Sequence, residues 1–432
     1  MIFKAMVTEI RKFFHNETLR NGLFFTIFSF INKGVNFLLL IILAKYISPT
    51  EYGYWSLFGT IIMFIGYFIA MTTQGYLSIS FFQEGMYGVK KTFSCIVSTS
   101  IIVTFLLCIF VFFLQPLLNA YLNFPWRYLY LAIGISFFTI YSNVCLDFFR
   151  IKKNAKLYGI FSCGSAILIL SVSIFFVKFL LLGWVGCVLA QLACASLFGL
   201  IGILLFLHLG CLSLPDKIHW KKMLLWGIPL IPHLATNFIQ QGCDRYIINY
   251  FYNVEQVGFF SFAYSLAAAI MMIGSGFNEA NGVNIFETLS NRDFAPIQKI
   301  ALLKKQKKNI FFIYLASSTI IICLCCIFVP LALPQYAPSV KYFIFLAIYA
   351  FGQCLYFLYG NFLSFYSKTK KLMSITFSFA IIHLIISLCF TRYSVYYTCL
   401  SYCISQVGVV IFVRRNAIKS LEENLNCKIR RF

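Results

Sequence analysis

Long apolar runs separated by short polar connections dominate the pattern of hydrophobic and polar positions along the chain. A membrane helix needs about 20 mostly apolar residues at a rise of 1.5 Å each. By that criterion the pattern predicts an all-α integral membrane protein with about twelve spans. The predicted spans cover residues 21–46, 54–80, 92–114, 128–149, 157–177 and 183–207 in the first half, and 223–250, 258–278, 309–333, 342–364, 372–391 and 394–413 in the second.

The composition agrees with this pattern. Hydrophobic residues make up 61% of the 432 residues and charged residues 11%, against roughly 25% charged in ordinary globular proteins. So few charged residues cannot cover a water-facing surface. The composition therefore excludes a protein made of soluble globular domains. The net charge of +22 would suit a nucleic-acid binder, so the positions of the basic residues decide between that class and a membrane protein.

Basic residues alternate strongly between successive connections. The N-terminal arm, the even-numbered connections and the C-terminal tail hold 28 of the 35 lysines and arginines, whereas the odd-numbered connections hold 5. Cytoplasmic connections carry this excess in membrane proteins. Both termini are therefore predicted to be cytoplasmic, and no nucleic-acid partner is expected. Lys33 and Arg245 alone are left inside spans.

A short motif recurs 205 residues apart. Gly53 and Gly258 each precede two aromatic residues and a serine, just after an outward turn. With six spans in each half, the recurrence predicts two six-helix lobes related by a pseudo-two-fold axis along the membrane normal. The predicted parts are a cytoplasmic amphipathic arm (1–20), an N-terminal lobe (21–207), a cytoplasmic connection (208–222), a C-terminal lobe (223–413) and a basic cytoplasmic tail (414–432).

The connections are too short for an external catalytic domain, since the longest outward one, 115–127, has 13 residues. The inward connections lack phosphate-binding glycine loops and histidine clusters. Most of the 16 cysteines lie within spans and are expected to be small packing residues, so neither a metal nor a cofactor is expected. Transport is therefore the leading class, and a polysaccharide polymerase or glycosyltransferase is the alternative enzyme.

Three stretches resemble the polysaccharide-biosynthesis exporters, the O-antigen (Wzx-type) flippases of the multidrug/oligosaccharidyl-lipid/polysaccharide exporter superfamily. They are Leu-Ala-Lys-Tyr-Ile-Ser-Pro-Thr-Glu-Tyr-Gly at 43–53, Gly-Ile-Pro-Leu-Ile-Pro at 227–232, and Asp-Arg-Tyr-Ile-Ile at 244–248. The chain departs from the pattern at Lys45, where many relatives have arginine.

The resemblance implies a two-lobed, twelve-helix protein of the bacterial cytoplasmic (inner) membrane. Its activity would be to move undecaprenyl-diphosphate-linked oligosaccharide repeat units from the inner to the outer leaflet through a cationic cavity. The product would be O-antigen, capsule or a related surface polysaccharide. The partners it implies are this lipid-linked substrate, membrane lipids, and the polysaccharide polymerase and chain-length machinery.

Lys33 lies 12 residues into the first span, about 18 Å deep by helix rise. A charge at that depth costs roughly 2.5–3.5 kcal/mol on insertion scales. We predict that Lys33 faces the inter-lobe cavity and attracts the diphosphate, and that Asn36, at i+3, bonds sugar hydroxyls or a neighbouring carbonyl. The alternative is a lysine satisfied by nearby carbonyls, with no substrate role.

Asp244 and Arg245 lie in the outer third of the seventh span. Adjacent residues on a helix point about 100° apart, so the two need not pair. They are predicted to contact the diphosphate or sugar acids, against the alternative of a structural ion pair or an interfacial arginine. Upstream, Pro229 and Pro232 cannot donate backbone hydrogen bonds, which predicts a helix break near a binding site or bending point.

Five further ionisable residues have two interpretations each. Asp147 and Arg150 form either an interfacial ion pair or an inner vestibule that gathers phosphate. His233, His383 and Glu279 are either hydrogen-bonded structural groups or sites that couple transport to a proton or sodium gradient.

A multidrug-type antiporter is the nearest rival function. Its usual cationic substrates would favour carboxylates in the cavity, whereas the deep ionisable groups here are Lys33 and Arg245, with Asp244 beside the arginine. The balance of charge therefore favours the flippase.

Overall fold

The computed structural model describes residues 17–71, 73–122 and 125–425. The predicted amphipathic arm, apart from its last few residues, and the end of the predicted basic tail lie outside these described residues. Within them the chain forms helices and no strand, as predicted. The fourteen α-helices are α1 (Glu17–Ala44), α2 (Pro49–Ala70), α3 (Tyr76–Leu122), α4 (Tyr128–Ile151), α5 (Ala155–Ile174), α6 (Gly183–His208), α7 (Lys217–Gly227), α8 (Ile231–Gln241), α9 (Cys243–Phe251), α10 (Val254–Ser290), α11 (Pro296–Ala332), α12 (Ser339–Phe365), α13 (Thr369–Phe390) and α14 (Val395–Leu425).

Eleven helices in the described part are long and apolar enough to cross a membrane. The predicted seventh span, 223–250, is the one without a continuous helix. It consists of the end of α7, a 3₁₀ turn at Ile228–Leu230, α8 and α9. Pro229 lies in that 3₁₀ turn, where its missing N–H interrupts the α-helical bonding pattern. The all-α, multi-pass membrane fold is confirmed.

Several predicted connections are helical instead of loops. The second span was expected to reach residue 80, yet α2 ends at Ala70 and α3 runs from Tyr76 through the polar connection into the third span. Gly85 bends α3 with a φ of 64°, a left-handed conformation that glycine adopts readily. Helices can continue past the apolar zone because they satisfy their own backbone hydrogen bonds.

The chain divides into two compact units. The N-terminal unit reaches Ile47 and resumes over Leu57–Ala235, and the C-terminal unit comprises Ser48–Ser56 and the chain from Thr236 onward. The first turns of α2 therefore belong by their contacts to the C-terminal unit. This assignment was not apparent from the sequence, in which α2 follows the first span directly.

In the N-terminal unit α4 packs on α3 and α6, and α1 packs on α5. Phe93 of α3 stacks on Phe206 of α6 with ring centroids 4.3 Å apart. Asp216 caps α7 by accepting a 3.0 Å hydrogen bond from the Ile218 amide. That bond, with the nearby Lys91 ammonium, lowers the pKa of the Asp216 carboxyl. Apolar packing and a charged cap thus both stabilise the region where α3, α6 and α7 meet.

In the C-terminal unit α10 and α14 both pack on α12, and α13 packs on α14. Three buried tyrosines, Tyr264, Tyr349 and Tyr402, lie at the centre of this arrangement. The ring centroid of Tyr402 is 4.8 Å from that of Tyr349 and 5.9 Å from that of Tyr264. One aromatic cluster therefore joins α10, α12 and α14.

The recurring glycine motifs meet in the C-terminal unit. A Cβ atom on Gly53 would overlap the carbonyl of Val254, and one on Gly258 would overlap the carbonyl of Pro49. The offset of 205 residues that relates the two glycines also relates Pro49 to Val254, so each motif contacts the other in an equivalent way. This reciprocity is the signature of a two-fold contact. The glycines allow two helix starts to cross at close range.

We expect Gly53→Ala and Gly258→Ala each to destabilise the protein by about 1–3 kcal/mol, because the added methyl group would overpack the crossing. Gly59→Ala is the matched control on α2, since a Cβ there meets no atom within 4 Å. Thermal unfolding of the purified protein in detergent measures the difference. Equal stability of all three variants would contradict the close crossing.

Candidate functional site

Lys33 lines a polar cavity of about 360 Å³ between α1, α4, α5 and α6, all within the N-terminal unit. We call it the Lys33 cavity. Its other polar lining residues are uncharged, and they include Ser29, Asn36, Ser142, Asn143, Ser162 and Gln191.

Hydrogen bonds fix the α1 side chains that flank Lys33. The Asn32 side-chain amide donates to the Ser162 carbonyl at 2.6 Å, which ties α1 to α5. Asn36 donates to the main-chain carbonyl and the side-chain oxygen of Asn32, both at 3.0 Å. The predicted bond from Asn36 to a neighbouring carbonyl is therefore present. The result is a rigid polar face on α1.

The Lys33 side chain is exposed, and it makes no hydrogen bond or ion pair with any residue that the structure describes. None of the described carbonyls accepts a hydrogen bond from Lys33, as the alternative interpretation would require. Since the described lining contains no carboxylate, the ammonium group is available to an anion that enters the cavity.

A second cavity of about 590 Å³, which we call the Asp147 cavity, is lined by α2, α4, α8 and the two short 3₁₀ turns of the N-terminal unit. Its lining is mostly apolar, with Asp147 and Gln74 among the polar exceptions. Thr139 and Asn143 of α4 line both cavities. The two cavities are therefore neighbours along α4.

Asp147 and Arg150 form an ion pair with 3.0 Å between Oδ1 and Nη1. Arg150 also donates to the Tyr158 hydroxyl at 3.2 Å and lies 5.2 Å from the centre of its ring. Tyr158 in turn lines the Lys33 cavity. The ion pair between Asp147 and Arg150 is therefore present, and Asp147 also lines a cavity. The alternative of an inner vestibule that gathers phosphate stays a prediction.

Asp244 belongs to a buried polar cluster of the C-terminal unit, and none of its surface is exposed. Its carboxylate lies 2.8 Å from His383 Nε2 and accepts a 2.5 Å bond from the Ser387 hydroxyl. Ser401 lies 2.8 Å from the other ring nitrogen of His383. A buried carboxylate needs such partners. In this conformation Asp244 is enclosed by protein groups and has no surface for a substrate.

Arg245 does not pair with Asp244, in agreement with their directions on the helix. Its Nε donates to the Ser56 and Ser261 hydroxyls at 2.6 and 3.1 Å, and a terminal nitrogen donates to the Gln241 carbonyl. The guanidinium lies 5.4 Å from the Tyr264 ring centre. Ser56 and Ser261 are the recurring serines and bond to each other at 2.8 Å, so Arg245 stabilises the glycine crossing.

The other predicted residues are apart from these clusters. Glu279 is exposed on α10 and forms no ion pair within the described part of the chain. Pro229 lies in the 3₁₀ turn and Pro232 in α8, and the side chains of Pro232 and His233 lie outside the described residues. The roles of these residues in coupling or bending stay predictions.

Sequence reasoning missed the polar face of α4. Ser136, Thr139, Asn143 and Asp147 recur at intervals of three and four residues, which places them on one side of a helix. All four line the Asp147 cavity. The spacing was readable in the sequence, but a hydropathy scan averages it away within an apolar span.

The described residues form an all-α, multi-pass membrane fold with two cavities in the N-terminal unit. Residues 18–280 match the family model described as polysaccharide biosynthesis protein, which covers more than half of the chain. The chain belongs to this family. No curated protein sequence matches it significantly.

Solved transporter structures share the fold. An inward-facing multidrug resistance MATE family transporter of the MOP superfamily superposes with a TM-score of 0.69 at 14% identity, over 92% of this chain and 96% of its own. An outward-facing structure of such a transporter gives 0.63 at 13%, over 94% and 96%. A MOP superfamily transporter from Pyrococcus furiosus, described as having a binding pocket of reverse polarity, gives a TM-score of 0.62 at 13% identity, over 94% of this chain and 96% of its own. At these identities the likeness establishes the fold alone.

We expect His383→Ala to destabilise the protein by about 3–5 kcal/mol, because it leaves the Asp244 carboxylate buried without its partner. The double variant Asp244→Asn/His383→Ala removes the unpaired charge and should recover part of this loss. His208→Ala, at the exposed end of α6, is the control. Thermal unfolding of the purified variants in detergent measures their stability. A His383→Ala protein as stable as the control would contradict the buried pair.

Proposed function

We propose that the protein is a flippase for undecaprenyl-diphosphate-linked oligosaccharide repeat units. It moves them from the inner to the outer leaflet of the bacterial cytoplasmic membrane by alternating access, and it supplies O-antigen, capsule or a related surface polysaccharide. The family match supports a role in polysaccharide biosynthesis, and the fold supports transport.

The observation that carries the proposal is the exposed Lys33 ammonium in a cavity whose described lining has no carboxylate. A deep charge is costly in a membrane protein, so an ammonium group without a protein partner favours binding of an anion. The diphosphate supplies two adjacent negative groups, and charge-assisted hydrogen bonds to phosphate are among the stronger polar contacts.

The uncharged lining supports the glycan half of the proposal. Serine hydroxyls and the amides of Asn36 and Gln191 both donate and accept hydrogen bonds, which matches sugar hydroxyls. The lipid tail needs no cavity, since it stays in the acyl region of the bilayer throughout transport. The protein cavity therefore has to accept only the polar headgroup of the substrate.

A multidrug-type antiporter receives less support. A cationic drug would need an unpaired carboxylate in a cavity. Asp147 is paired with Arg150, and Asp244 is enclosed with His383. The exposed Glu279 lines neither of the two cavities. A catalytic role as a polymerase or glycosyltransferase also receives less support, because Asp244, His383 and Ser401, which are hydrogen-bonded in series, are buried.

The same proposal includes the membrane topology, the partners and the energy coupling of the protein. Both termini lie in the cytoplasm, and the polysaccharide polymerase and chain-length machinery act on the delivered units. His383, which bonds to the buried Asp244, is our candidate for coupling to a proton gradient, because histidine is the side chain best suited to carry a proton near neutral pH.

We expect Lys33→Ala to lower transport by about tenfold or more, because a hydrogen bond to a charged group contributes about 1.5–3 kcal/mol. Lys33→Arg keeps the charge and should retain part of the activity. Lys45→Ala, an exposed lysine just after α1, is the matched control. Surface polysaccharide and accumulated lipid-linked units are measured in cells that depend on the variant. Normal glycan with Lys33→Ala at a normal protein level would remove Lys33 from the site.

Arg245→Ala tests the second predicted substrate contact. We expect surface polysaccharide to fall at an unchanged protein level. A decrease that merely follows a loss of protein would assign Arg245 to the glycine crossing instead, and unfolding of the same purified variant separates the two outcomes.

A further inference from the structure

Three basic side chains of the C-terminal unit converge near one end of its helices. Lys304 and Lys307 are three residues apart on α11 and therefore share a face of that helix. Arg414 of α14 lies close enough to repel the Lys307 ammonium, as Lys304 does. Lys307 is partly buried, and its Nζ atom lies 5.5 Å from the ring centre of Tyr359 on α12. We call the three basic residues the Lys307 cluster.

The carboxylates of α14 lie further along the helix than the Lys307 cluster. Glu422 and Glu423 come eight and nine residues after Arg414, a rise of about 12 Å or more. Glu423 also forms an ion pair with Lys368, with 2.7 Å between the charged atoms. Like charges that are close together and partly removed from water repel each other. An anion among the three basic side chains would therefore lower their energy.

The Lys307 cluster lies at the depth of lipid headgroups. Lys307 and Arg414 each lie within two residues of the end of a predicted span, and Tyr359 lies five residues inside the end of another. Tyrosine is enriched at this boundary between the hydrocarbon core and water. Basic pockets between membrane helices at this depth suit anionic lipid headgroups.

An apolar face of α12 leads away from the cluster. α12 packs on both α11 and α14, with Phe351 against a phenylalanine of α11 and Gly352 against a glutamine of α14. From the helical repeat, Ile348 and Tyr359 point between these two directions. Ile348 is 53% exposed. The rise from Ile348 to Tyr359 is about 16 Å, close to the hydrocarbon thickness of one leaflet, so an acyl chain fits along this face.

We propose that the Lys307 cluster binds an anionic phospholipid of the inner leaflet. The lipid phosphate lies among Lys304, Lys307 and Arg414 and accepts charge-assisted hydrogen bonds, and an acyl chain follows α12 past Ile348. The choice of leaflet rests on the proposed topology with cytoplasmic termini. A zwitterionic lipid would bring a cation that the cluster repels, so the site selects lipids with a net negative charge.

Native mass spectrometry of the purified full-length protein in a neutral detergent measures the dissociation constant of the first bound lipid. We expect the wild-type protein to bind phosphatidylglycerol at least about tenfold more tightly than phosphatidylcholine. Lys307→Gln and Arg414→Gln should each weaken the binding of phosphatidylglycerol at least about fivefold, because each removes a charged donor. Lys370→Gln, at an exposed lysine near the start of α13, is the matched control and should leave this affinity unchanged.

Thermal unfolding separates lost binding from lost folding. With phosphatidylcholine alone, we expect Lys307→Gln to unfold at or above the wild-type temperature, because the substitution removes the repulsion from Lys304 and Arg414. Phosphatidylglycerol should raise the unfolding temperature of the wild type by at least about 3 °C, and that of the variant by less than half as much. A variant less stable than the wild type without phosphatidylglycerol would assign the Lys307 charge a structural role and overturn the lipid site.

Two further results would overturn the proposal. One is equal affinity of the wild type for the two lipids, or an affinity for phosphatidylglycerol that survives both Lys307→Gln and Arg414→Gln. The other is inorganic phosphate that raises the unfolding temperature as much as phosphatidylglycerol at matched ionic strength, which would make the cluster a site for free phosphate. Both assays measure binding and not transport, so each result leaves the proposed flippase function to its own tests.

Discussion

The cost of keeping a polar or charged group away from water governs this structure. In an apolar environment such a group needs either a protein partner or a cavity that admits a ligand. The C-terminal unit uses the first solution, in which Asp244 is enclosed by His383 and Ser387. The N-terminal unit uses the second, in which Lys33 is exposed in a polar cavity. The same physical cost therefore explains the buried cluster in one unit and supports the binding site that we propose in the other.

Close helix packing depends on the same constraint. Where α2 and α10 begin, Gly53 and Gly258 bring two backbones together, and the hydroxyls of Ser56 and Ser261 then bond to each other. Arg245 donates to both serines, so the hydroxyls also serve as acceptors for a charged group. A motif that recurs in the sequence becomes one contact in the structure.

The proposed function depends on how the polar groups of the N-terminal unit are distributed between two cavities. Lys33 and Asp147 lie in neighbouring cavities joined at Thr139 and Asn143. The cavity with the unpaired lysine and the cavity with the Asp147–Arg150 ion pair therefore lie side by side. That a lipid-linked saccharide binds there is our proposal, which the family membership supports.

The sequence by itself determined the apolar spans, their number to within one, the alternation of basic connections and the depth of Lys33. These follow from hydropathy and helix rise, which are properties of one segment at a time. The tertiary structure decided which groups meet: His383 lies 139 residues from Asp244 in the chain, and Ser162 lies 130 residues from Asn32. Such pairs depend on the rotation of each helix about its axis and on its neighbours. The mean hydropathy of a span carries no information about either, because it averages over all sides of the helix.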